Sequence, residues 1–183
     1  MRIGLYGGTF DPIHNGHVHV IQELISRKIV DHLLVIPAGE PRLRDQEPHA
    51  TGAQRRAMCQ LVVDGLPVEI KSHVEVNPIE VLRQGPSYAI DTVEAVAQTY
   101  PGDAILLIVG TDAYEKIDQW HRADELKKMV EFVVIDRPDF PGQHTTSVDA
   151  IAVSATDIRA HKSDAVPAAV AAYIKEQNLY ASK

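Results

Sequence analysis

Two histidines three positions apart, His14 and His17, are the first residues whose types and spacing could do chemistry. They follow two adjacent glycines, Gly7 and Gly8, which let the backbone turn tightly and approach a ligand closely. A short apolar run precedes the glycines and a helical pattern follows the histidines, which indicates a strand, a glycine turn and a helix. A helix N-terminus favours an anion, and histidine side chains can donate hydrogen bonds to phosphate oxygens. We therefore expect a phosphate site at this turn.

A dinucleotide fingerprint, a P-loop and a zinc site each fit this segment less well. The glycines match neither GxGxxG nor GxxxxGK[ST], so the first two are poor descriptions. A zincin-type metal site needs a glutamate beside the first histidine and a four-residue offset between the histidines, whereas Asn15 follows His14. A purely structural pair of histidines is the remaining alternative.

A second polar group of residues lies near the C-terminus, between Val153 and Arg159. Ser154 and Asp157 have the spacing of a capping box, which alone predicts only a helix start. Arg159 lies near the predicted beginning of that helix, where a cation opposes the macrodipole unless an anion is also present. With an anion present, this segment would form one binding site for phosphate. Its donors would be the Ser154 and Thr156 hydroxyls, the helix N–H groups and the Arg159 guanidinium.

Composition limits the class of protein. The 183 residues predict one domain, and an apolar fraction of 45% provides enough side chains for a core. A net charge of −7 argues against a general nucleic-acid or membrane binder, and no apolar stretch has transmembrane length. The single cysteine, Cys59, excludes an internal disulfide and is expected to be a small core residue. These features predict a cytoplasmic location, and a homo-oligomer is compatible with them.

Strands and helices alternate along the predicted chain. Strands are predicted at 2–7, 33–36, 104–109, 132–135 and 151–153, with extended chain at 68–76. Helices are predicted at 17–29, 52–63 and 88–100, one or two at 111–129, and helical pattern over 155–177; loops are predicted at 37–51, 77–86 and 137–147. Uninterrupted apolar strands separated by helices indicate a parallel sheet covered on both faces. The fold class is therefore α/β, a Rossmann-like doubly wound parallel sheet, in a single domain over 1–183, with ligands bound beyond the carboxyl ends of the strands.

The two polar segments together resemble the signatures of a known enzyme family. Residues 7–17 resemble the GxFxPxHxGH signature of the HxGH nucleotidyltransferases, which are α/β enzymes that transfer an adenylyl or cytidylyl group. Residues 153–159 resemble the ISSTxIR signature of the same family, with Val153 and Ala155 replacing its first Ile and second Ser. The resemblance implies that His14 and His17 are catalytic. The ATP-binding residues that it implies are Gly7, Gly8, Thr9, Phe10, His14, His17, Ser154, Thr156 and Arg159.

Segments between these signatures resemble one branch of the family, the bacterial nicotinate mononucleotide adenylyltransferases. Residues 85–92 are similar to the PSYTIDT stretch of this branch, and residues 109–112 with Trp120 are similar to its GAD...W segment. Two shorter segments, 136–138 and 178–180, also resemble it. The resemblance implies that the chain transfers AMP from ATP to nicotinate mononucleotide, with Mg²⁺ accompanying ATP and no metal site in the protein. The acceptor-binding residues that it implies are Arg44, Tyr88, Ala89, Asp112 and Trp120. Ala89 stands where the family usually has Thr, and Arg44 where it usually has Lys.

Several alternatives stay open at this point. Phosphopantetheine adenylyltransferases share the histidine motif, and a preference for nicotinamide mononucleotide or a non-catalytic nucleotide-binding regulator also fits the scaffold. Class I tRNA synthetases have a related HIGH motif, but this chain is short and acidic. Trp120 is either a core residue or an exposed wall for the pyridine ring. The pair Arg55 and Arg56 is interpreted as a solvated helix face, and residues 37–51 as a lid.

Overall fold

The computed structural model describes residues 1–39, 47–136 and 146–181, which form one α/β domain built on a five-stranded sheet. The strands are β1 (Arg2–Gly8), β2 (His32–Pro37), β3 (Val74–Val76), β4 (Ala104–Gly110) and β5 (Glu131–Ile135). They are all parallel and lie in the order β3-β2-β1-β4-β5. The strand order reverses between β1 and β4, so the crevice for a ligand opens beyond the carboxyl ends of these two strands.

Helices surround the sheet. They are α1 (Asn15–Ser26), α2 (Gly52–Asp64), α3 (Val68–Lys71), α4 (Ile79–Leu82), α5 (Ala89–Thr99), α6 (Thr111–Tyr114), α7 (Ala123–Met129), α8 (Ala155–Arg159) and α9 (Ala168–Glu176), with a 3-10 turn at Ile117–Gln119. Side chains that alternate along each strand enter two separate apolar clusters. On β2, for example, Leu33 and Val35 join the cluster beneath α1, α2 and α9, whereas Leu34 and Ile36 join the one beneath α5 and α7. The predicted doubly wound sheet is confirmed.

Local sequence explains where the two long N-terminal helices begin. In α1, Val20, Ile21 and Leu24 are buried, which is the spacing that places one helix face against a sheet. In α2, Thr51 and Gln54 form a capping box, in which each side chain binds the other residue's backbone N–H. The side chain of His14 caps α1, so both helices start where a side-chain cap satisfies unpaired donors of the first turn.

The structure differs from the sequence prediction in several stretches. Extended chain over 68–76 is wrong for its first half, because α3 occupies Val68–Lys71 and only Val74–Val76 pairs with β2. The predicted strand at 151–153 is also wrong, since these residues are irregular. The loop 77–86 contains the short helix α4, and the C-terminal helical pattern is divided into α8 and α9. Residues 137–145 of the predicted loop at 137–147 and residues 40–46 of the predicted lid at 37–51 lie outside the described residues.

Within the ranges given above, no helix is both long enough and apolar enough to cross a membrane.

Candidate active site

A cavity of about 320 Å³ opens at the carboxyl edge of the sheet, beside the reversal point between β1 and β4. Its walls come from the end of β1 and the turn that follows it, the start of α1, the end of β4 and the segment that enters α8. Ten of the residues predicted for the site line it, and they are Gly7, Gly8, Thr9, Phe10, His14, His17, Asp112, Ser154, Thr156 and Arg159. Two segments from opposite ends of the sequence thus meet at one cavity, as the family signatures implied.

His14 and His17 lie side by side at the N-terminus of α1. Their rings stack with centroids 3.7 Å apart and an interplanar angle of 24°. His14 is the N-cap residue, and its Nδ1 accepts a hydrogen bond from the Gly16 N–H at 3.2 Å. The His14 N–H in turn donates to Nδ1 of His17 at 3.2 Å. A single reciprocal cap therefore holds both rings against the first turn of the helix.

The same cap selects the tautomer of each ring. Since a backbone N–H points at Nδ1 of both His14 and His17, neither Nδ1 can carry a hydrogen, and the neutral rings carry it on Nε2. An Nε2–H group is a hydrogen-bond donor, which is the role that a phosphate oxygen requires. No acidic residue occupies the first turn of α1, so the positive end of its macrodipole is not neutralised locally. The histidine pair and the helix start together suit an anion.

Small and aromatic residues bring the two histidines into place. A side chain at Gly16 would put its Cβ 3.0 Å from Cε1 of His14, so the His14 ring would have to shift, whereas the carbonyl oxygen of Ile151, 3.5 Å away, leaves ordinary van der Waals space. Gly8 is restricted in the same way, with Phe10 ring atoms 2.9 Å from its hypothetical Cβ. The Phe10 ring contacts His17 edge-on, at a centroid distance of 5.0 Å. Glycine spacing in the motif thus reflects side-chain packing at the site.

The segment that enters α8 supplies another part of the cavity wall. Ser154 is the N-cap of α8, and its Oγ accepts from the Asp157 N–H, as the capping spacing predicted. The sequence predicted that Arg159 lies near the start of this helix and opposes its macrodipole. That prediction is wrong, because α8 has five residues and Arg159 is the last of them. A cation at that end is favoured. Arg159 lines the cavity for a different reason: its guanidinium donates to the Asp11 carbonyl oxygen at 2.7 Å and to Thr156 Oγ1 at 3.3 Å.

Two buried charged residues beside the cavity were missed by the sequence reasoning. Arg55, interpreted as part of a solvated helix face, is 2% exposed, and only its neighbour Arg56 is exposed. The Arg55 guanidinium donates to four backbone carbonyl oxygens, those of Thr9, Ala38, Gly39 and Ala50. Asp11, 4% exposed, accepts hydrogen bonds from backbone N–H groups and a tyrosine. The position of Arg55 on α2, three residues before Met58, is that of a core residue, and this spacing was the signal available.

The residues predicted for the acceptor lie mostly beyond this cavity. Tyr88, Ala89 and Trp120 are half-buried and pack against the apolar cluster beneath α5 and α7. The Tyr88 ring lies 4.2 Å from that of the exposed His121, centroid to centroid. Trp120 is therefore partly a core residue and partly accessible. Its Nε1–H is buried without a hydrogen-bond partner within residues 1–39, 47–136 and 146–181.

Ala89 begins α5, with Tyr88 as the N-cap residue. No side chain of the described residues caps this helix start, so its first N–H groups are available as donors. Arg44 lies outside the described residues. Within the part of the chain that the structure describes, no group of three or more histidine, cysteine, aspartate or glutamate side chains is placed to hold a metal ion.

Comparisons with known proteins agree with this geometry. The cytidylyltransferase-like family model matches residues 5–161. The probable nicotinate-nucleotide adenylyltransferase of Bacillus pumilus (strain SAFR-032) is 35% identical over 192 residues, which cover 99% of both chains. The nicotinate-nucleotide adenylyltransferase of Bacillus subtilis (strain 168) is 32% identical, also with 99% of both chains covered.

Among solved structures, the fold matches that of Plasmodium falciparum nicotinic acid mononucleotide adenylyltransferase complexed with NaAD. The TM-score is 0.80, and the match covers 98% of this chain and 97% of the other. Sequence identity is only 18%, so this likeness concerns the fold.

Proposed function

Because the chain belongs to the cytidylyltransferase-like family and to its nicotinate-nucleotide adenylyltransferases, we propose that it transfers the AMP moiety of ATP to nicotinate mononucleotide. The products are deamido-NAD and pyrophosphate. The observation that carries the site assignment is the histidine pair. His14 and His17 are fixed by one reciprocal cap at the mouth of α1, in the same cavity as Ser154, Thr156 and Arg159.

The reaction needs no nucleophile from the protein. A phosphate oxygen of nicotinate mononucleotide attacks the α-phosphorus of ATP; a new P–O bond forms as the bond from that phosphorus to the bridging oxygen of the pyrophosphate breaks. Pyrophosphate leaves with the electron pair. Cys59 takes no part, because it is fully buried and burial raises the pKa of its thiol far above the usual range.

The protein contributes alignment and positive charge. The Nε2–H groups of His14 and His17 donate to the α-phosphate oxygens, where negative charge increases in the transition state. Arg159, with the hydroxyls of Ser154 and Thr156, binds the β- and γ-phosphates. Donors that are already held by the backbone cost little reorganisation when the reaction occurs. The lining of a single cavity by both groups of residues supports this division of roles.

Mg²⁺ enters with ATP as part of the substrate. The described residues provide no three-ligand carboxylate or histidine group for it. Mg²⁺ usually keeps phosphate oxygens and water among its ligands. The metal would neutralise part of the phosphate charge, and the protein would position the phosphates.

Acceptor recognition is assigned to the start of α5 and to Trp120. The uncapped N–H groups that begin at Ala89 suit the nicotinate carboxylate, because a backbone N–H can only donate. A carboxamide in the same place keeps only one acceptor oxygen and turns an N–H₂ group toward the remaining donors, so we expect nicotinamide mononucleotide to be the poorer acceptor. The half-exposed Trp120 ring provides an apolar wall for the pyridine ring. We assign Arg44 to screening the acceptor phosphate, and Asp112, which lines the cavity, to binding the acceptor.

A three-acceptor assay tests this function. The purified chain is given ATP and Mg²⁺ with nicotinate mononucleotide, nicotinamide mononucleotide or phosphopantetheine, and pyrophosphate release is measured while the product is identified by mass. We expect the largest kcat/KM with nicotinate mononucleotide, with deamido-NAD as product. Fastest turnover with either of the other acceptors would change the substrate assignment. ATP binding without turnover of any acceptor would instead indicate a regulator.

A further inference from the structure

Asp11 lies in the active-site turn, yet its carboxylate is bound by groups from two distant parts of the chain. Oδ1 accepts from the Ala50 N–H at 3.1 Å and from the Tyr180 hydroxyl at 2.6 Å. Oδ2 accepts from the His49 N–H at 2.8 Å. With Asp11 only 4% exposed, these three bonds compensate a charge that would otherwise be costly to bury.

Tyr180 reaches Asp11 from the segment that follows α9, 169 positions later in the sequence. Its own backbone is in the left-handed region, with φ 56°, which a tyrosine adopts only when its surroundings hold it. One such contact is visible: Nε2 of His161 hydrogen-bonds to the Tyr180 carbonyl oxygen at 2.7 Å. Tyr180 is thus held both by its side chain and by its backbone.

The Tyr180 hydroxyl is a permanent donor in this arrangement. Burial raises its pKa far above the usual range, and the hydrogen bond to the Asp11 carboxylate raises the pKa further. The hydroxyl therefore keeps its proton at every pH at which the protein would be assayed. Tyr180 is not among the residues that line the cavity.

Asp11 connects this tyrosine to the cavity through its own backbone. The Asp11 carbonyl oxygen accepts from the Arg159 guanidinium at 2.7 Å, and Asp11 is three residues before His14. A displacement of Asp11 would therefore move a partner of Arg159 and the turn that leads to the histidine pair. Both groups line the same cavity.

We propose that Tyr180 is a positioning residue for adenylyl transfer: through Asp11, its hydroxyl fixes the active-site turn relative to Arg159. The inference rests on the proposed function, since it assigns a role in the same reaction. It extends the site to the segment after α9, which the sequence signatures of phosphate binding do not include.

Replacing Tyr180 by Phe removes one hydroxyl and keeps the ring. We expect Y180F to lower kcat about tenfold, because a small misplacement of aligned groups is expensive in rate, while the KM for ATP changes less than about twofold. The matched control is Y173F, which alters a half-buried tyrosine of α9 whose hydroxyl has no hydrogen-bond partner within the described ranges. Its kcat should equal that of the wild type. A Y180F enzyme with unchanged kcat, or a Y173F enzyme that loses as much, would overturn the proposal.

Hydrogen exchange provides a readout that does not depend on activity. In Y180F the His49 and Ala50 amides should exchange faster, since they donate to the carboxylate that has lost its third partner. The amides of β4, buried at the centre of the sheet, should not change. Unchanged exchange at His49 and Ala50 would mean that Tyr180 does not hold Asp11, whatever the chain catalyses.

A double-mutant cycle shows whether the two residues act through one contact. D11N should weaken the same group of hydrogen bonds. The amide N–H₂ of the new side chain would face a backbone N–H from which the carboxylate accepts a hydrogen bond. The loss of kcat in the double mutant should be clearly smaller than the product of the two single losses. Independent losses would overturn the proposal. If the wild-type chain catalyses no transfer, the proposed function fails, and the exchange experiment still decides whether Tyr180 holds Asp11.

Discussion

The two halves of the site are built by different means. The phosphate cradle, residues 7–17 and 153–159, holds its polar groups with hydrogen bonds: the His14 and His17 rings cap a helix, and Arg159 binds a main-chain oxygen. The acceptor wall that we propose consists of Tyr88, Ala89, Trp120 and His121. The first three pack against the apolar cluster beneath α5 and α7, and the His121 ring contacts that of Tyr88. The helix start of this wall lacks a side-chain cap from the described residues, and its indole N–H lacks a partner among them.

This difference corresponds to two kinds of recognition. Phosphoryl chemistry gains most from donors that are fixed before charge develops, and the phosphate cradle fixes them. An aromatic acceptor ring is recognised by a flat apolar surface and a few donors that the ligand itself satisfies. Changes in the phosphate cradle should therefore act on kcat, and changes in the acceptor wall on the affinity for the acceptor.

The largest effect is expected from H17A. Removal of one preorganised donor costs ~10²–10³ in rate, so kcat should fall by that factor while ATP affinity changes little. The control is H73A, which removes an exposed histidine just before β3. His73 lies at the amino end of that strand, whereas the cavity lies at the carboxyl edge of the sheet. Steady-state kinetics and an ATP titration measure both quantities. A folded H17A enzyme with near-normal kcat would remove His17 from the mechanism.

G16A should have the next largest effect. Its methyl group would lie 3.0 Å from Cε1 of His14 and would press on a ring held by the helix cap, so we expect kcat to fall about tenfold. G65A is the matched control, since the nearest atom to its Cβ is 3.4 Å away and its φ of −87° suits alanine. Stopped-flow or steady-state rates of both variants should differ clearly. Equal rates would show that the close approach at Gly16 is not needed.

W120A tests the acceptor wall. Loss of the ring should raise the KM for nicotinate mononucleotide about tenfold and leave the KM for ATP nearly unchanged. Stacking serves both pyridine rings equally, so the ratio of kcat/KM for nicotinate over nicotinamide mononucleotide should persist. W120F, which keeps an aromatic surface, should recover most of the affinity. If the ratio disappears in W120A, Trp120 itself distinguishes the charge of the acceptor.

The smallest effect concerns Glu80 of α4. Burial raises its pKa above the ordinary value of 4.5, and the hydrogen bond from Thr92 Oγ1 only partly opposes this. The folded chain thus binds this proton more tightly than the unfolded chain, so stability is lost as the pH rises from 4.5 through the folded value.

Above that window E80Q should be more stable than the wild type by a few degrees in Tm, and the difference should shrink at acid pH. Thermal unfolding at several pH values measures this dependence. E69Q, an exposed position on α3, should show no such trend. A constant offset for E80Q at all pH values would show that ionisation of Glu80 does not matter.

Patterns that depend on neighbours in the sequence were predictable. Continuous apolar strands such as β4 indicated a sheet covered on both faces, and the glycine and histidine spacing placed the phosphate cradle at its carboxyl edge. The strand at 151–153 was wrong because three apolar residues cannot be distinguished from an irregular segment by periodicity. The macrodipole prediction for Arg159 depended on helix length, and helix ends are the least reliable part of such a prediction.

Contacts between distant segments could not be predicted. Arg55 looks like half of a polar pair, yet it is buried against the carbonyl oxygens of two strand ends. Asp11 and Tyr180 carry no local pattern that connects them. The hydrogen-bond partners of these side chains come together only in the folded chain. The residues next to them in the sequence therefore do not reveal these contacts.

Binding of a non-hydrolysable ATP analogue, followed by amide hydrogen exchange in the purified chain, tests the division of the site most directly. Protection should concentrate in residues 7–17 and 153–159, and Ala89 with Trp120 should become protected only when nicotinate mononucleotide is added. The same experiment with H17A should keep the pattern, since that variant loses rate more than affinity. Protection by the ATP analogue at Ala89 and Trp120 alone, with none in the phosphate cradle, would contradict the account.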